Sequence, residues 1–156
     1  MANRLTKGEA LVGALTVDSA ITADDVTTTD DLNIGDDAYV TGAFGKGVTV
    51  TTEADGSSMA ISAAELLGGI IVATPTTARN IQAPTAEALV AAVDAGTDTG
   101  LGFEFTIINL ASSTHALTLT VNTGTTLVGS VTIAAASSAT FVARIAASDA
   151  VVIYRK

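Results

Sequence analysis

The first third of the chain carries a hydrophobic pattern that repeats every six residues. Residues 21–38 read ITADDV, TTTDDL and NIGDDA, with an Asp pair in each unit. An apolar residue follows each pair, and the same step meets seven apolar positions in succession: Ala14, Ala20, Val26, Leu32, Ala38, Phe44 and Val50. Because six is even, these side chains would share one face of an extended chain, whereas a helix would scatter them. The pattern predicts a stalk-like β-repeat segment over residues 14–52, with an irregular acidic loop region as the alternative.

This β-repeat segment is too thin to bury its apolar side chains alone. A single chain of about 40 such residues has little to bury, whereas three copies around an axis would bury the apolar column together. We therefore expect a homotrimer, with residues 1–13 preceding the segment as an N-terminal arm. The expected trimer contacts are Val26, Leu32, Ala38, Phe44 and Val50.

The second half of the chain alternates between apolar and polar residues with a period of two. The runs FEFTII at 103–108 and LTLTV at 117–121 are two such segments, and further ones follow at short spacing with polar turns between them. This arrangement predicts a small antiparallel β-sandwich or barrel over residues 61–156. Residues 53–60 would join it to the repeat. Its bulky centre would be Phe103, Phe105 and Phe141.

One short helix is predicted inside this β domain. Residues 86–95 read AEALVAAVDA, with Thr85 as the N-cap, Glu87 in the first turn and Gly96 just past the end. The segment 61–69, ISAAELLGG, contains at most a helical turn. The predicted fold class is therefore mainly β, with an N-terminal β-repeat, an antiparallel sandwich or barrel and one short helix.

Composition and charge exclude several classes of protein. The 156 residues include no Cys and one His, which rules out disulfide scaffolds and multi-histidine metal sites. A net charge of −9 argues against a nucleic-acid-binding surface. Although 48% of the residues are hydrophobic and mean hydropathy is +0.50, no apolar run approaches the ~20 residues of a spanning helix. We expect neither nucleic acid nor a membrane as a partner.

The candidate chemistry of the chain is sparse. The Asp pairs suit turns, where Asp accepts local backbone hydrogen bonds, and a bound Ca²⁺ is the alternative. His115 lies in a polar turn near Ser112 and Ser113 without the sequence context of a nucleophile. The run GAFGKGVT at 42–49 lacks the ending of a P-loop. We expect no catalytic residue, cofactor or metal site, and no enzymatic activity.

Two stretches of the chain resemble proteins of tailed bacteriophages. Residues 69–93, GIIVATPTTARNIQAPTAEALVAAV, with the β-runs from residue 103 onward, resemble modules of virion structural proteins. The stretch LTVDSAITADDVTTTDDLNIGDDAYVTGAF at 15–44 resembles β-repeat stalks of phage fibre-like proteins. Together they cover residues 15–156. The family that fits best is that of capsid decoration proteins, also called cement or head-fibre proteins.

The resemblance implies a trimeric structural protein on the capsid surface of a virion, assembled in the host cytoplasm. Its partners would be its own copies and the major capsid protein, whose shell it would stabilise. The arm, with Arg4, Leu5 and Lys7, would add a strand to a sheet edge of that protein. The alternative is a fibre-tip or receptor-binding module of a phage tail or head fibre.

Overall fold

A computed structural model describes residues 47–93 and 99–156, which form a mainly β domain as predicted. The predicted N-terminal arm and nearly all of the β-repeat lie outside these residues. The first strands and helices are β1 (Thr49–Glu53), β2 (Met59–Ala60), α1 (Ala63–Gly68), β3 (Gly69–Ala73), β4 (Arg79–Gln82) and α2 (Ala86–Ala92). The remaining strands are β5 (Gly102–Asn109), β6 (Leu117–Thr120), β7 (Thr125–Val128), β8 (Thr132–Ile133), β9 (Ser137–Ala147) and β10 (Ala150–Arg155).

The strands form two sheets, and the chain passes between them after almost every strand. The large sheet has the order β1-β3-β5-β9-β10-β7, and the small sheet has the order β2-β4-β6-β8. From β1 to β9 each strand lies in the sheet opposite to the strand before it, and only the β9–β10 hairpin stays in one sheet. The β domain predicted to begin at residue 61 therefore already includes β1 and β2.

The prediction of an antiparallel sandwich is wrong in the direction of its strands. Five of the six strands in the large sheet run the same way and only β9 opposes them, while in the small sheet only β8 opposes the rest. In the series β1, β3, β5 and in the series β2, β4, β6, successive strands are joined through one strand of the other sheet, which lets them pair in parallel. Alternation with a period of two shows which side chains face the core but not which strands pair.

Two helices are present among these residues, where one was predicted. In α2, the Thr85 side chain accepts a hydrogen bond from the Ala88 amide at 3.2 Å, which confirms the predicted N-cap. The helix ends at Ala92, and the predicted end at residue 95 and Gly96 fall outside the described residues. The additional helix α1 begins with a capping box, in which Ser62 and Glu65 bond to each other's backbone amides.

The hydrophobic core lies between the two sheets and is closed by the helices. Phe105 and Phe141 stack at its centre with ring centroids 5.3 Å apart, and each is 1% exposed. Phe103, predicted to join them, is only half-buried against the core. The small sheet contributes the buried residues Met59, Ile81, Leu117, Leu119 and Ile133.

A buried asparagine connects the two sheets at the end of β5. The side chain of Asn109 is fully buried, and its amide donates to the carbonyl oxygens of His115 at 2.9 Å and of Ile133 at 3.1 Å. Its side-chain oxygen accepts from the Ala111 amide at 3.0 Å. The large sheet is thereby tied to β8 and to the loop that carries His115.

Replacement of Asn109 should be strongly destabilising. In Asn109→Ala, two carbonyls and one amide lose their partner inside the protein, and each unsatisfied buried group costs on the order of 1–3 kcal/mol. We expect a loss of about 3 kcal/mol or more in the free energy of unfolding, measured by urea denaturation. Asn80→Ala, at an exposed position of β4, is the control and should stay within about 0.5 kcal/mol of wild type. Equal stability of the two variants would contradict the role assigned to Asn109.

Gly124 is a second position that the fold requires, and Gly100 provides a matched control for it. Both have positive φ angles, 74° and 92°. A Cβ at Gly124 would collide with the Asp149 carbonyl and lie 2.7 Å from the Ala86 Cβ, whereas no described atom lies within 4 Å of one at Gly100. Gly100→Ala should cost about 1 kcal/mol from backbone strain alone. Gly124→Ala should cost about 3 kcal/mol, because overpacking adds to that strain. Thermal unfolding would measure both, and similar losses would show that the collision is relieved.

Candidate functional site

The outward side of the large sheet, here called the outer face, is the candidate functional surface. Side chains alternate along each strand, so the strand register places one set of residues on this side and the core residues on the other. Its apolar members are Val50, Ile70, Val72, Ile108, Val128, Val142, Val152 and Tyr154. Its uncharged polar members are Thr52, Thr106, Thr126, Ser138 and Thr140.

Two strands of the outer face, β3 and β10, are largely apolar on both sides. The sequence GIIVA of β3 contains no charged residue, AVVIYR of β10 contains only its last residue Arg155, and their other outward side chains are as apolar as their inward ones. A sheet with one face in water usually carries polar residues on that face, whereas continuous apolar strands are typical of sheets covered on both sides. β3 and β10 thus have the composition of strands that are covered on both sides.

The charges on the outer face are few and mostly cationic. Lys156 reaches across β9 to Glu104 on β5, with 2.6 Å between Nζ and Oε1, and Arg144 is exposed nearby. Both partners of the ion pair are more than half exposed, so it stabilises the fold by at most about 1 kcal/mol. Glu104 is the only acid on this face among the described residues. The face therefore carries +1, against −9 for the whole chain.

A depression lies at one end of the outer face. It has a volume of about 380 Å³ and lies where β5 ends and β9 begins. Leu110 on its rim is 54% exposed, and Ala136 adopts a left-handed backbone conformation with φ of 52°. Such a conformation is strained for alanine and is held here by the turn before β9, in which Ser137 donates to the Ala134 carbonyl at 2.7 Å. The apolar rim extends the outer face beyond the ends of the strands.

One of the predicted trimer contacts lies on this surface. Val50 pairs with Ile70 at the edge of the large sheet, and its side chain is 61% exposed. The trimer contact itself stays a prediction. The other predicted site residues and the three Asp pairs lie outside the described residues: Arg4, Leu5, Lys7, Val26, Leu32, Ala38 and Phe44.

A charged cluster fastens the loop after β1 to the loop before β4. The carboxylate of Asp55 receives a hydrogen bond from Arg79 Nε at 2.7 Å, and both the backbone amide and the hydroxyl of Thr76 donate to it. The hydrogen bond from Arg79, and after it that from Thr76, holds the pKa of Asp55 well below its usual range. These partners satisfy the carboxylate within the protein, so the cluster positions the loops rather than a ligand.

Two neighbouring carboxylates have opposite pKa shifts. Burial raises the pKa of Glu53, at the end of β1, and the nearby charge of Glu65 adds to this effect. Hydrogen bonds from Ser62 lower the pKa of Glu65. Glu53 Oε1 is buried without a hydrogen-bond partner among the described residues. The buried carboxylate of Glu53 therefore lowers the free energy of unfolding at neutral pH.

The outward side of the small sheet differs in chemistry from the outer face. It carries a shallow cavity of about 260 Å³ whose polar groups are uncharged amides and hydroxyls. The lining residues are Ser57, Ser58, Met59, Ala60, Asn80, Gln82 and Thr120. Gln82 donates to the Val121 carbonyl at 3.3 Å, which leaves its own side-chain oxygen free to accept. This surface can bond to neutral hydroxyl groups.

The described residues contain no group of three or more His, Asp or Glu side chains placed to hold a metal ion. His115, examined as a candidate base, is half-buried, and Ser112 and Ser113 are exposed beside it in the chain. Within residues 47–93 and 99–156, neither helix has the length and apolar content needed to cross a membrane.

The outer face is a feature that sequence reasoning missed. The alternation of apolar and polar residues does not by itself connect the two-sided apolar character of GIIVA and AVVIY to a surface. The signal was present as the loss of alternation in these two strands, in contrast to the regular alternation of LTLT in β6. A one-chain fold leaves such strands half uncovered, and only the sheet order shows that they lie in the same sheet.

Replacing Glu53 by glutamine should stabilise the protein at neutral pH. The pKa of Glu53 is higher in the folded state than in the unfolded chain. The free energy of unfolding therefore falls as the pH rises from the unfolded pKa towards the folded one. The melting temperature of Glu53→Gln should exceed that of wild type at neutral pH. The two should match near pH ~3, where Glu53 is protonated in both the folded and the unfolded state. Glu87→Gln, an exposed change in the first turn of α2, is the control and should not raise it. A lower melting temperature for Glu53→Gln at neutral pH would show that its carboxylate is stabilising.

Comparison with known proteins gives no relative to place beside this geometry. No family model matches the chain, and no curated protein and no solved structure matches it. The outer face, the depression at its end and the polar surface of the small sheet are therefore the features from which a function is inferred.

Proposed function

We propose that this chain is a structural virion protein, a homotrimeric capsid decoration protein that stabilises an icosahedral phage head. The observation that carries the proposal is the outer face, an apolar and nearly acid-free surface on an otherwise acidic chain. An apolar surface of this kind on an acidic chain supports a role in contact with other proteins, including other copies of the same chain. The resemblance of residues 15–156 to phage structural modules supports the same class.

The proposed role is mechanical and non-catalytic. A trimer that bridges neighbouring subunits of the shell adds buried area at their junctions and resists the outward pressure of packaged DNA. The β-repeat would hold the three copies together, and the arm with Arg4 and Lys7 would pair with the edge of a capsid-protein sheet. The remaining acidic surface would keep decorated particles soluble and mutually repulsive. The protein would act on the capsid surface after assembly in the host cytoplasm.

The neutral polar cavity on the small sheet favours a second candidate, a receptor-binding module at a fibre tip. Amide and hydroxyl side chains such as Asn80, Gln82 and Thr120 match the hydroxyl groups of a glycan. No aromatic side chain lines this cavity, so the stacking surface that sugar sites commonly use is lacking there. The capsid role therefore remains the first proposal.

Binding to phage heads tests the proposal directly. Heads assembled without this chain should bind the purified full chain saturably in co-sedimentation, and the decorated heads should release DNA at a higher temperature than bare heads. Electron cryomicroscopy should show added density on the outside of the shell. Absence of co-sedimentation with intact heads would refute the capsid role.

A glycan array distinguishes the alternative. If this chain is a capsid decoration protein, it should show no carbohydrate affinity. If it is a receptor-binding module, it should bind a defined glycan and lose that binding in Asn80→Ala. Thr132→Ala, at an exposed position of β8 outside the cavity, is the matched control and should bind like wild type. Glycan binding that Asn80→Ala abolishes, together with gold-labelled antibody at the tail tip, would replace the first proposal with the second.

A further inference from the structure

We infer that the outer face of the large sheet is covered by a second copy of this chain. The inference rests on the proposed homotrimer and adds to it a contact that lies in the β domain rather than in the β-repeat. The surface in question runs from Val50 on the edge strand through Val72 and Val142 to Val152, with Leu110 and the depression at its end.

The interior of the outer face consists of valine and threonine side chains. Val72 on β3 and Val142 on β9 are outward residues in the interior of the sheet, and the threonines between them, Thr106 and Thr140, bond to each other at 3.0 Å. These threonines satisfy part of their own hydrogen-bonding capacity. In a homotrimer, three such faces turned towards one axis would cover each other, because each copy contacts two neighbours.

The scarcity of acidic residues on the outer face also favours a second copy as its cover. Each copy carries −9, so two copies repel each other unless they meet where acids are scarce. Glu104 is the only acid of the described residues on this face, and Lys156 already neutralises it. A copy that approaches with the same face therefore buries no unpaired carboxylate. Arg144 is exposed and pairs with Val152 on one side and with Gly102, the first residue of β5, on the other, so it lies towards one end of the face.

The first 46 residues of the chain join the domain at the edge of the outer face. Residues 1–46 enter the domain through β1, the edge strand of the large sheet, where Val48 and Val50 are 59% and 61% exposed. If the β-repeat holds three chains together, each domain is attached to the assembly at the edge of its own outer face. The tether raises the effective concentration of one face near another.

The area of the face is limited. Its six strands are about 4.8 Å apart and four to eleven residues long, which makes a face of roughly 600 Å². A free-standing protein interface needs about 800 Å² from each partner. The face is thus too small to hold a separate partner by itself, and its size suits a contact between copies that are also joined through the β-repeat.

A charge placed in the face tests the inference in the full chain. Val72→Glu should raise the concentration at which the assembly dissociates by about tenfold or more, because the contact would bury an unpaired carboxylate. Asn80→Glu places the same charge on the outward side of the small sheet and should leave this concentration unchanged. Light scattering over a dilution series measures both, and circular dichroism reports whether each variant is folded.

A second measurement applies even if Val72→Glu fails to fold. The chain has no cysteine, so Val142→Cys and Asn80→Cys each introduce a single thiol. In the assembled protein, maleimide should label the thiol at position 142 slowly, and dilution should accelerate this labelling while leaving the rate at the exposed position 80 unchanged.

The outcomes separate this inference from the proposed function. An assembly that Val72→Glu leaves intact, with a reactive thiol at position 142, overturns the inference and leaves binding to heads unaffected. Protection of that thiol only after addition of phage heads also overturns it, because the shell is then the occupant. A wild-type chain that is monomeric at all concentrations refutes the inference and the trimer together, while head binding is scored by co-sedimentation.

Discussion

Neither sheet of this domain can form without the other, because the chain crosses between them after almost every strand. The parallel neighbours β1, β3 and β5 are linked only through β2 and β4 of the small sheet. The crossing segments carry the two helices, whose buried residues Leu66 and Leu89 close the core around the stacked phenylalanines. Asn109 joins the same two sheets by hydrogen bonds at one end. Folding of one sheet therefore brings in the other, and the outer face exists only in the finished domain.

The crossing of the chain between the two sheets also explains which parts of the fold could be predicted from the sequence. The alternation in residues 103–108 and 117–120 identified strands and their buried side, and the cap at Thr85 identified where α2 begins. Pairing partners could not be deduced, because an antiparallel hairpin and a strand that crosses to the opposite sheet leave the same alternation. The short α1 carried its own signal in Ser62 and Glu65, but six residues give little helical periodicity to detect. The candidate surface depends on sheet order, so it was the least accessible from sequence.

The two outward surfaces of the domain have different chemistry, although the same chain builds both. Valine and isoleucine dominate one, while asparagine, glutamine, serine and threonine line the cavity on the other. Water competes well for amides and hydroxyls, so the small sheet is stable when exposed. Its counterpart gains free energy from any close-fitting cover. This difference supports the proposal that the large sheet contacts protein, while the small sheet can face solvent or a hydroxyl-rich ligand.

The common direction of β1 and β10 has a mechanical consequence. The chain enters the large sheet at Thr49 and leaves it at Arg155 in strands that run the same way, β1 at one edge and β10 next to the strand at the other edge. A pulling force between these two points acts along the strands and loads their hydrogen bonds in shear. All five register pairs between β1 and β3 then share the tension, instead of opening one after another as in a peeled hairpin. The edge strand that looks most easily detached is therefore placed to transmit tension into the rest of the sheet.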